Sequence, residues 1–205
     1  MIFLSEFSEF DWIFFLLIIG FTLSFIFFIF IYNNKITKVY NSYNTQALKR
    51  KGIASKGFLL SYPKLYFSYK DKDISVFTIL GGRYSPPISK LTVNSFSISN
   101  KNLIVYKEGF LSKFGKSLGV QDIEIGIDSF DSKFIIKGSD ELFIRNILSF
   151  DIQDKMLRII HKLNAEVYFD GNSILISFPY YVKKDSDLDD LINLSISLSD
   201  KIDDY

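Results

Sequence analysis

Four carboxylates in the middle of the chain are the residues whose types and spacing come nearest to a chemical site: Asp122, Glu124, Asp128 and Asp131. Carboxylate oxygens are the ligands that Ca²⁺ and Mg²⁺ prefer, so the cluster is a weak metal candidate. Its spacing does not fit the EF-hand loop, which needs oxygen ligands at positions 1, 3 and 5, glycine at 6 and glutamate at 12. Isoleucine occupies positions 123, 125 and 127, and a half-exposed strand explains this alternation equally well. We therefore predict no metal and no cofactor.

Other catalytic classes have less support. His161 is the only histidine, and a surface or core histidine in an amphipathic helix is a simpler interpretation than a catalytic one. Gly115-Lys116-Ser117 matches the end of a phosphate-binding P-loop, but Phe110 stands where the first glycine belongs. Cysteine is absent, which removes thiolate nucleophiles and sulfur-ligated zinc. We predict that the protein is not an enzyme; the alternative is a metal-dependent or hydrolase-like enzyme that uses the acidic cluster.

A long apolar segment near the N-terminus is the clearest element of the sequence. No charged side chain occurs between Asp11 and Lys35, a run of 23 residues that includes seven of the 22 phenylalanines. As a helix this run spans about 34 Å, enough to cross a hydrocarbon core of about 30 Å. Trp12 and Tyr32 stand at its ends, where amphipathic rings favour the membrane interface. The sequence predicts a transmembrane helix over residues 12–32, with the lipid bilayer as its partner.

A cleavable signal peptide is the competing interpretation of this segment. Such a peptide begins with basic residues, has an apolar stretch of about 7–15 residues and ends at small residues. Here the start is acidic, with Glu6, Glu9 and Asp11, and the bulky run Ile29-Phe30-Ile31-Tyr32 ends the apolar stretch. We expect the segment to be retained.

Basic residues follow the span and none precedes it. They are Lys35, Lys38, Lys49, Arg50 and Lys51. By the positive-inside rule, residues 1–11 are a short extracytoplasmic tail and the C-terminal domain is cytoplasmic. Contact with anionic headgroups is a second role for these side chains, although setting the topology explains them without it. The predicted location is the cell membrane, with a single pass.

Charge balance bears on the partners. From Gly52 onward, 19 Lys and Arg stand against 20 Asp and Glu, whereas a nucleic-acid-binding domain normally has a basic face. We predict no nucleic-acid partner. Near the C-terminus we expect a solvated acidic helix face, with docking of a basic partner as the alternative. Its acids are Asp185, Asp187, Asp189, Asp190, Asp200, Asp203 and Asp204.

Behind the span, residues 33–52 are predicted to be a juxtamembrane helix that ends near Gly52, or else a pliable stalk, because apolar residues recur there at helical spacing among Asn and Ser. Residues 53–205 form the domain, which is β-rich over 58–137. Its predicted strands are Leu65–Tyr69, Ile74–Leu80, Ile88–Ile98, Leu103–Tyr106, Asp122–Asp128 and Phe134–Ile136.

Residues 139–203 have a helix-helix-hairpin-helix pattern. Ser139 and Asp151 are predicted N-caps of the first two helices, and Ser186 or Asp187 of the last. Asp170-Gly171-Asn172 is a hairpin turn. Because strands and helices do not alternate regularly, a doubly wound parallel sheet is disfavoured. The predicted fold class is α+β: an N-terminal transmembrane helix followed by a mainly antiparallel sheet with packed helices.

Two runs and a short motif resemble a family of uncharacterised single-span membrane proteins of archaea and bacteria. The runs are Leu103 to Phe110 and Gly119 to Gly126, and the motif is Phe130-Asp131-x-x-Phe134. Specific residues match over about 103–150, and residues 53–100 match in outline. The resemblance implies the same order of anchor, sheet and helices, with Phe130 and Phe134 in the core and Asp131 bonded to the preceding turn. It implies no activity.

These features together predict a membrane-tethered cytoplasmic interaction or scaffold domain. Its partners would be the bilayer and other membrane or cytoplasmic proteins. Besides the enzyme, a small subunit of a larger membrane complex is an alternative, in which the Phe-rich helix is the binding face.

Overall fold

The computed structural model describes residues 9–57, 61–82, 85–94, 96–98, 100–107, 122–182 and 184–205. Contacts divide the chain into two units, one ending at Lys38 and the other running from Val39 to Tyr205. The described elements are α1 (Glu9–Arg50), β1 (Ile53–Ser55), β2 (Lys64–Tyr69), β3 (Lys72–Ile79), β4 (Ile88–Asn94), β5 (Leu103–Lys107), α2 (Asp128–Asp131), β6 (Phe134–Gly138), α3 (Glu141–Ile147), α4 (Phe150–Leu163), β7 (Glu166–Phe169), β8 (Ser173–Pro179) and α5 (Asp185–Asp203).

The second unit is built on one antiparallel sheet of eight strands in the order β1-β2-β3-β4-β8-β7-β5-β6. Strands β1 to β4 form a meander, in which each strand pairs with the next along the chain. The β7–β8 hairpin then lies between β4 and β5, and β6 closes the other edge. The predicted α+β class, an apolar N-terminal helix followed by an antiparallel sheet and helices, is confirmed.

Alternating strand residues build the core on one face of the sheet. Leu65, Val76, Leu91 and Ile176 are fully buried and belong to one cluster with apolar residues of α3, α4 and α5. Residues 39–50 of α1 join this cluster through Val39, Tyr43 and Ala47, which are spaced by four and therefore share one helix face. The last three turns of α1 are thus part of the domain core. In the structure residues 33–50 are helical, which is the first of the two forms predicted for this segment.

Two tight turns join neighbouring strands of the sheet. Lys70 adopts a φ of +53° between β2 and β3, so the turn is shorter than the gap between the predicted strands Leu65–Tyr69 and Ile74–Leu80, and Lys72 already belongs to β3. Gly171 adopts a φ of +89° between β7 and β8, and a Cβ there would stand 2.4 Å from the carbonyl oxygen of Ile98. Glycine is needed at this position for both reasons.

Helix starts differ from the predictions by one to three residues. Asp140 caps α3 by accepting a hydrogen bond from the Phe143 amide, because the Ser139 hydroxyl donates instead to the carbonyl of Asn100. Ser149 precedes α4, which places Asp151 in its first turn. Helix α5 follows Lys184, ahead of the predicted caps Ser186 and Asp187.

The predicted strand over residues 122–128 is wrong, although its alternation of exposure is correct. Ile123, Ile125 and Ile127 are partly buried against the core, and the polar residues between them are exposed. The segment is irregular because the Asp131 carboxylate accepts the amides of residues 125, 126 and 127, which a strand would pair with a neighbour. Gly126, with a φ of +89°, lets the backbone turn around that carboxylate.

Two further strands differ from the predictions. The predicted strand Ile88–Ile98 ends at Asn94, and the amides of Phe96 and Ile98 bond the carbonyls of Asn172 and Gly171 in the β7–β8 turn instead. The short edge strand β1 was not predicted, because three residues carry too little pattern to identify a strand.

Candidate functional site

The apolar part of α1 is long and apolar enough to cross a membrane, by length and composition, and none of its most apolar window is buried inside the structure. Trp12 lies at one end with its ring edge-on to Phe15, and Tyr32 lies at the other with its ring stacked on Phe28. The Thr22 hydroxyl donates to the carbonyls of Ile18 and Ile19, so this polar group is satisfied within the helix. This arrangement suits a lipid environment, where backbone and hydroxyl groups need internal partners.

Five basic residues were predicted to set the topology, and the structure divides them into two groups. Lys35, Lys38 and Lys51 are exposed, and no ion pair is found for them within the described ranges. Lys49 and Arg50 both pair with Asp189 of α5, at 2.8 Å from Lys49 Nζ to Oδ2 and 2.5 Å from Arg50 Nη2 to Oδ1. Two of the five basic residues therefore share one carboxylate of the domain.

A polar seam joins the last turns of α1 to the first turns of α5, and we call it the α1–α5 seam. It contains Ser42, Gln46, Lys49 and Arg50 on α1 and Asp185, Asp189 and Asn193 on α5. Gln46 Nε2 donates to Asp185 Oδ1 at 2.7 Å, and Arg50 Nη2 donates to Asn193 Oδ1 at 3.0 Å. Arg50 also donates to the side-chain oxygen of Gln46.

Electrostatics of the seam favour the charged form of its central acid. Burial acts to raise the pKa of Asp189, but the hydrogen bonds and charges of Lys49 and Arg50 outweigh it, and the net pKa lies below the ordinary value. The Arg50 side chain is 11% exposed and that of Asp189 is 25% exposed. The guanidinium lies 5.8 Å from the centre of the Phe67 ring. Arg50 is therefore held by a carboxylate, two amides and an aromatic face at once.

Other acids of α5 also have partners in the domain. Asp187 pairs with Lys162 of α4 at 2.7 Å, Asp200 pairs with Lys70 of the β2–β3 turn at 2.6 Å, and Asp203 pairs with Lys72 at 2.9 Å. Asp185, Asp190, Asp203 and Asp204 are exposed, as a solvated acidic face requires, and Asp189 and Asp200 are partly exposed. The expectation is wrong for Asp187, which is buried beside its partner Lys162 of α4.

The acidic cluster around residues 122–131 does not come together as a site. Asp131 is turned inward to three backbone amides at 2.7 to 3.1 Å, and Asp122 pairs with Lys137 at 3.2 Å. Within the described part of the chain, no group of three or more Asp, Glu, Cys or His residues is placed to hold a metal ion. Glu124 is bonded through its backbone: its carbonyl oxygen accepts a hydrogen bond from Arg145 Nη2 at 2.7 Å.

The roles that the resemblance implied for the aromatic motif agree with the packing. Phe130 and Phe134 are buried with their ring centres 4.7 Å apart, and Asp131 bonds the turn that precedes it. His161 packs edge-on against Phe134 at 6.2 Å, and its pKa is lowered by burial and by the charges of Lys107 and Lys133. The contact of this partly buried ring with a core phenylalanine is a packing contact.

The P-loop-like run Gly115-Lys116-Ser117 lies outside the described residues. With Leu118 and Gly119 it also fits the Gly-x-Ser-x-Gly pattern of a nucleophile elbow, which requires a strand before it and a helix after it. Both patterns rest on sequence alone.

Sequence reasoning missed the α1–α5 seam. A signal was present: Ser42, Gln46 and Arg50 recur every four residues, as do Asp185, Asp189 and Asn193. Each row lies on one face of its helix. The spacing identifies two polar rows, but it does not say that two helices so far apart in sequence pack side by side.

Comparison with known proteins finds a similar fold and no activity. No protein-family model matches the sequence, and no curated protein matches it. The crystal structure of the mycobacterial trehalose monomycolate transport factor A, TtfA, is similar in fold, with a TM-score of 0.56 and 8% sequence identity. The match covers 80% of this chain and 94% of that chain. At such low identity the similarity is one of fold alone.

Proposed function

We propose that this chain is a single-pass membrane protein whose α+β domain is held on the cytoplasmic face of the membrane and acts there as an interaction or scaffold domain. The observation that carries the proposal is the apolar part of α1, which is exposed throughout its most apolar window, followed by basic residues. An apolar surface of this size has no stable place in water.

Support for a tethering role comes from the contacts that the last turns of α1 make with the rest of the domain. Val39, Tyr43 and Ala47 are core residues, and Gln46 and Arg50 are fixed to α5. A domain that only trailed behind its anchor would not need these residues. A membrane anchor whose continuation is part of the core suits a protein that must present one surface near the bilayer.

Retention in the membrane tests the anchor. The double variant Leu17→Arg/Leu23→Arg adds about 5–7 kcal/mol to the insertion of the helix, so the full chain should move from the alkali-resistant membrane fraction to the soluble or aggregated fraction. The matched control is Leu142→Arg/Phe150→Arg, because Leu142 is as exposed as Leu17, at 66% each. Equal membrane retention of the two double variants would contradict the anchor.

A subunit of a larger membrane complex is the second candidate. The observation that favours it is the similar fold of TtfA, a protein described as a transport factor. We carry over only the class that this description gives, a transport factor, and neither its cargo nor its partners. Native electrophoresis in mild detergent distinguishes the candidates: a complex subunit migrates as a discrete large species, whereas a lone monomer at all concentrations excludes a stable complex.

A metal-dependent enzyme is the weakest candidate, because the carboxylates that it needs are engaged elsewhere or do not converge. Its test is a melting curve of the full chain with and without Ca²⁺ or Mg²⁺. We expect no difference between the wild type and Asp122→Asn/Glu124→Gln/Asp128→Asn. A stabilisation by the ion that this triple variant abolishes would restore the enzyme hypothesis.

A further inference from the structure

A patch of apolar and aromatic side chains lies at one end of the sheet, and we call it the apolar rim. It consists of Tyr62, Ile79, Leu80, Tyr180 and Tyr181. Ile79, Leu80 and Tyr180 are 46%, 53% and 57% exposed, although they are large and apolar or aromatic. The rings of Tyr62 and Tyr181 pack with centres 5.9 Å apart. Pairing of β3 with β4 and the bridge between Ile88 and Tyr180 place these segments at the same end.

The backbone at Tyr180 is held in a conformation that an aromatic residue rarely adopts. Its φ is +64°, in the left-handed region. The Tyr180 amide donates to the Pro87 carbonyl at 2.7 Å, and its carbonyl accepts from the Ser89 hydroxyl at 2.5 Å. Residues in such conformations persist where their surroundings fix them, and they cluster at functional positions. Here the fixed backbone presents an exposed tyrosine ring.

The chain enters the domain at this same end. Helix α5 begins at Asp185, soon after the rim residues 180 and 181. Gln46 bonds Asp185, whereas Arg50, one turn later, bonds Asp189 and Asn193 further along α5. Residues 39–50 of α1 therefore run in the same direction as α5, and Val39 lies at the rim end.

Chain length limits how far the start of the domain can be from the end of the apolar span. Six residues lie between Tyr32, at the end of that span, and Val39, where the domain begins. Even fully extended, these seven residue steps reach about 25 Å. The rim is thus at the end of the domain where the chain enters it from the anchor.

We propose that the apolar rim rests in the headgroup region of the same bilayer, so that the domain touches the membrane at a second place besides its anchor. This inference rests on the proposed membrane anchoring. Tyrosine favours the membrane interface, and exposed apolar side chains enter it by about 5–10 Å. Lys64 and Lys184 are exposed at this end, where they suit anionic headgroups.

The absence of cysteine makes a direct test available, since one introduced cysteine carries the only label. The full chain is reconstituted in vesicles of phosphatidylethanolamine and phosphatidylglycerol, with an environment-sensitive fluorophore at Leu80→Cys. Quenching by a lipid whose nitroxide lies near the headgroups reports contact. Leu142→Cys is the control, because Leu142 lies on α3, which begins just after β6. The register of the sheet places the end of β6, at Gly138, level with Leu103 and with Ile74. These residues lie at the opposite end of the sheet from the rim. Leu17→Cys reports the anchor.

We expect strong quenching at Leu80→Cys and Leu17→Cys and little at Leu142→Cys. The contact is then weakened in two ways: phosphatidylglycerol is left out of the vesicles, and Ile79→Ser and Tyr180→Ser are introduced into the Leu80→Cys protein. With both changes, quenching at Leu80→Cys should fall to near the level of Leu142→Cys. Quenching at Leu17→Cys with none at Leu80→Cys overturns the rim contact and leaves the anchor intact. No quenching at Leu17→Cys overturns both, and equal quenching at Leu80→Cys and Leu142→Cys overturns the specific role of the rim.

Discussion

At the scale of single residues, the Arg50 guanidinium reaches three side chains and one aromatic ring at the same time. Its partners are Gln46, Asp189 and Asn193, and it lies over Phe67. Arginine suits this position better than lysine because its planar fork offers several donors and an aromatic-stacking face. Lys49 beside it has one exposed ion pair, whose contribution is expected to be small. We therefore assign most of the seam's stability to Arg50 and Asp189.

Replacing Asp189 by Asn should lower the free energy of unfolding at pH 7 by about 1 kcal/mol. The pKa of Asp189 is lower in the folded than in the unfolded chain, so its contribution is present above the unfolded pKa of about 3.9 and is lost as the pH falls through the folded pKa. The difference between wild type and variant should therefore shrink below about pH 4. Urea unfolding in mild detergent at several pH values measures it, with the exposed neighbour Asp190→Asn as control. A difference that does not change with pH would contradict the assignment.

Asp131 is expected to matter for folding and not for metal binding. Asp131→Ala leaves three amides without their acceptor and should cost about 1–3 kcal/mol. Glu124→Ala is the matched control, since the role of Glu124 comes from its backbone carbonyl and survives the substitution. The two variants are compared by urea unfolding of the full chain. Equal stabilities would show that the carboxylate does not organise the turn.

At the scale of elements, the last three turns of helix α1 have one face that packs in the core and a second face that forms polar contacts. Val39, Tyr43 and Ala47 are buried in the core, whereas Leu48 is 75% exposed. The next face along carries Gln46 and Arg50 to the seam. This helix segment therefore binds the domain through apolar packing and through ion pairs, and both depend on the four-residue spacing.

Removing the Tyr43 ring should be the most destabilising change in this segment. Tyr43→Ala removes a fully buried aromatic side chain and should cost about 3–5 kcal/mol, because it leaves a cavity in the core. Leu48→Ala removes an exposed side chain of the same helix and should cost less than about 0.5 kcal/mol. Thermal unfolding of both full-length variants in mild detergent makes the comparison. A Tyr43→Ala protein as stable as Leu48→Ala would mean that residues 39–50 do not belong to the core.

Sequence reasoning succeeded for elements whose signals are local. Asp170-Gly171-Asn172 identified its hairpin because the turn needs a glycine at positive φ, and residues 33–50 identified a helix by apolar spacing. It failed where a contact from elsewhere decides. Ser139 is not the cap of α3, because its hydroxyl donates a hydrogen bond to the Asn100 carbonyl. Residues 122–127 are not a strand, because the Asp131 carboxylate accepts hydrogen bonds from the amides of residues 125–127. The seam and the rim were missed for the same reason, since both bring together distant segments.

At the scale of the whole molecule, charges and apolar groups are distributed in a way that one membrane-anchored arrangement explains. The apolar run lies near one end of the chain, basic residues follow it, and the remainder is nearly neutral. Most acids of α5 are used inside the domain, which leaves few fixed charges for recruiting a basic partner by that helix. We therefore expect partners of the domain to be recognised by surfaces other than the acidic face of α5.

Orientation across the membrane is the central claim, and cysteine accessibility in intact cells tests it most directly. Ser8→Cys precedes the span and Ser186→Cys lies on the domain, where residue 186 is exposed. A membrane-impermeant maleimide should label Ser8→Cys in intact cells, and should label Ser186→Cys only after the cells are opened. Labelling of Ser186→Cys in intact cells, with Ser8→Cys protected until lysis, would contradict the account.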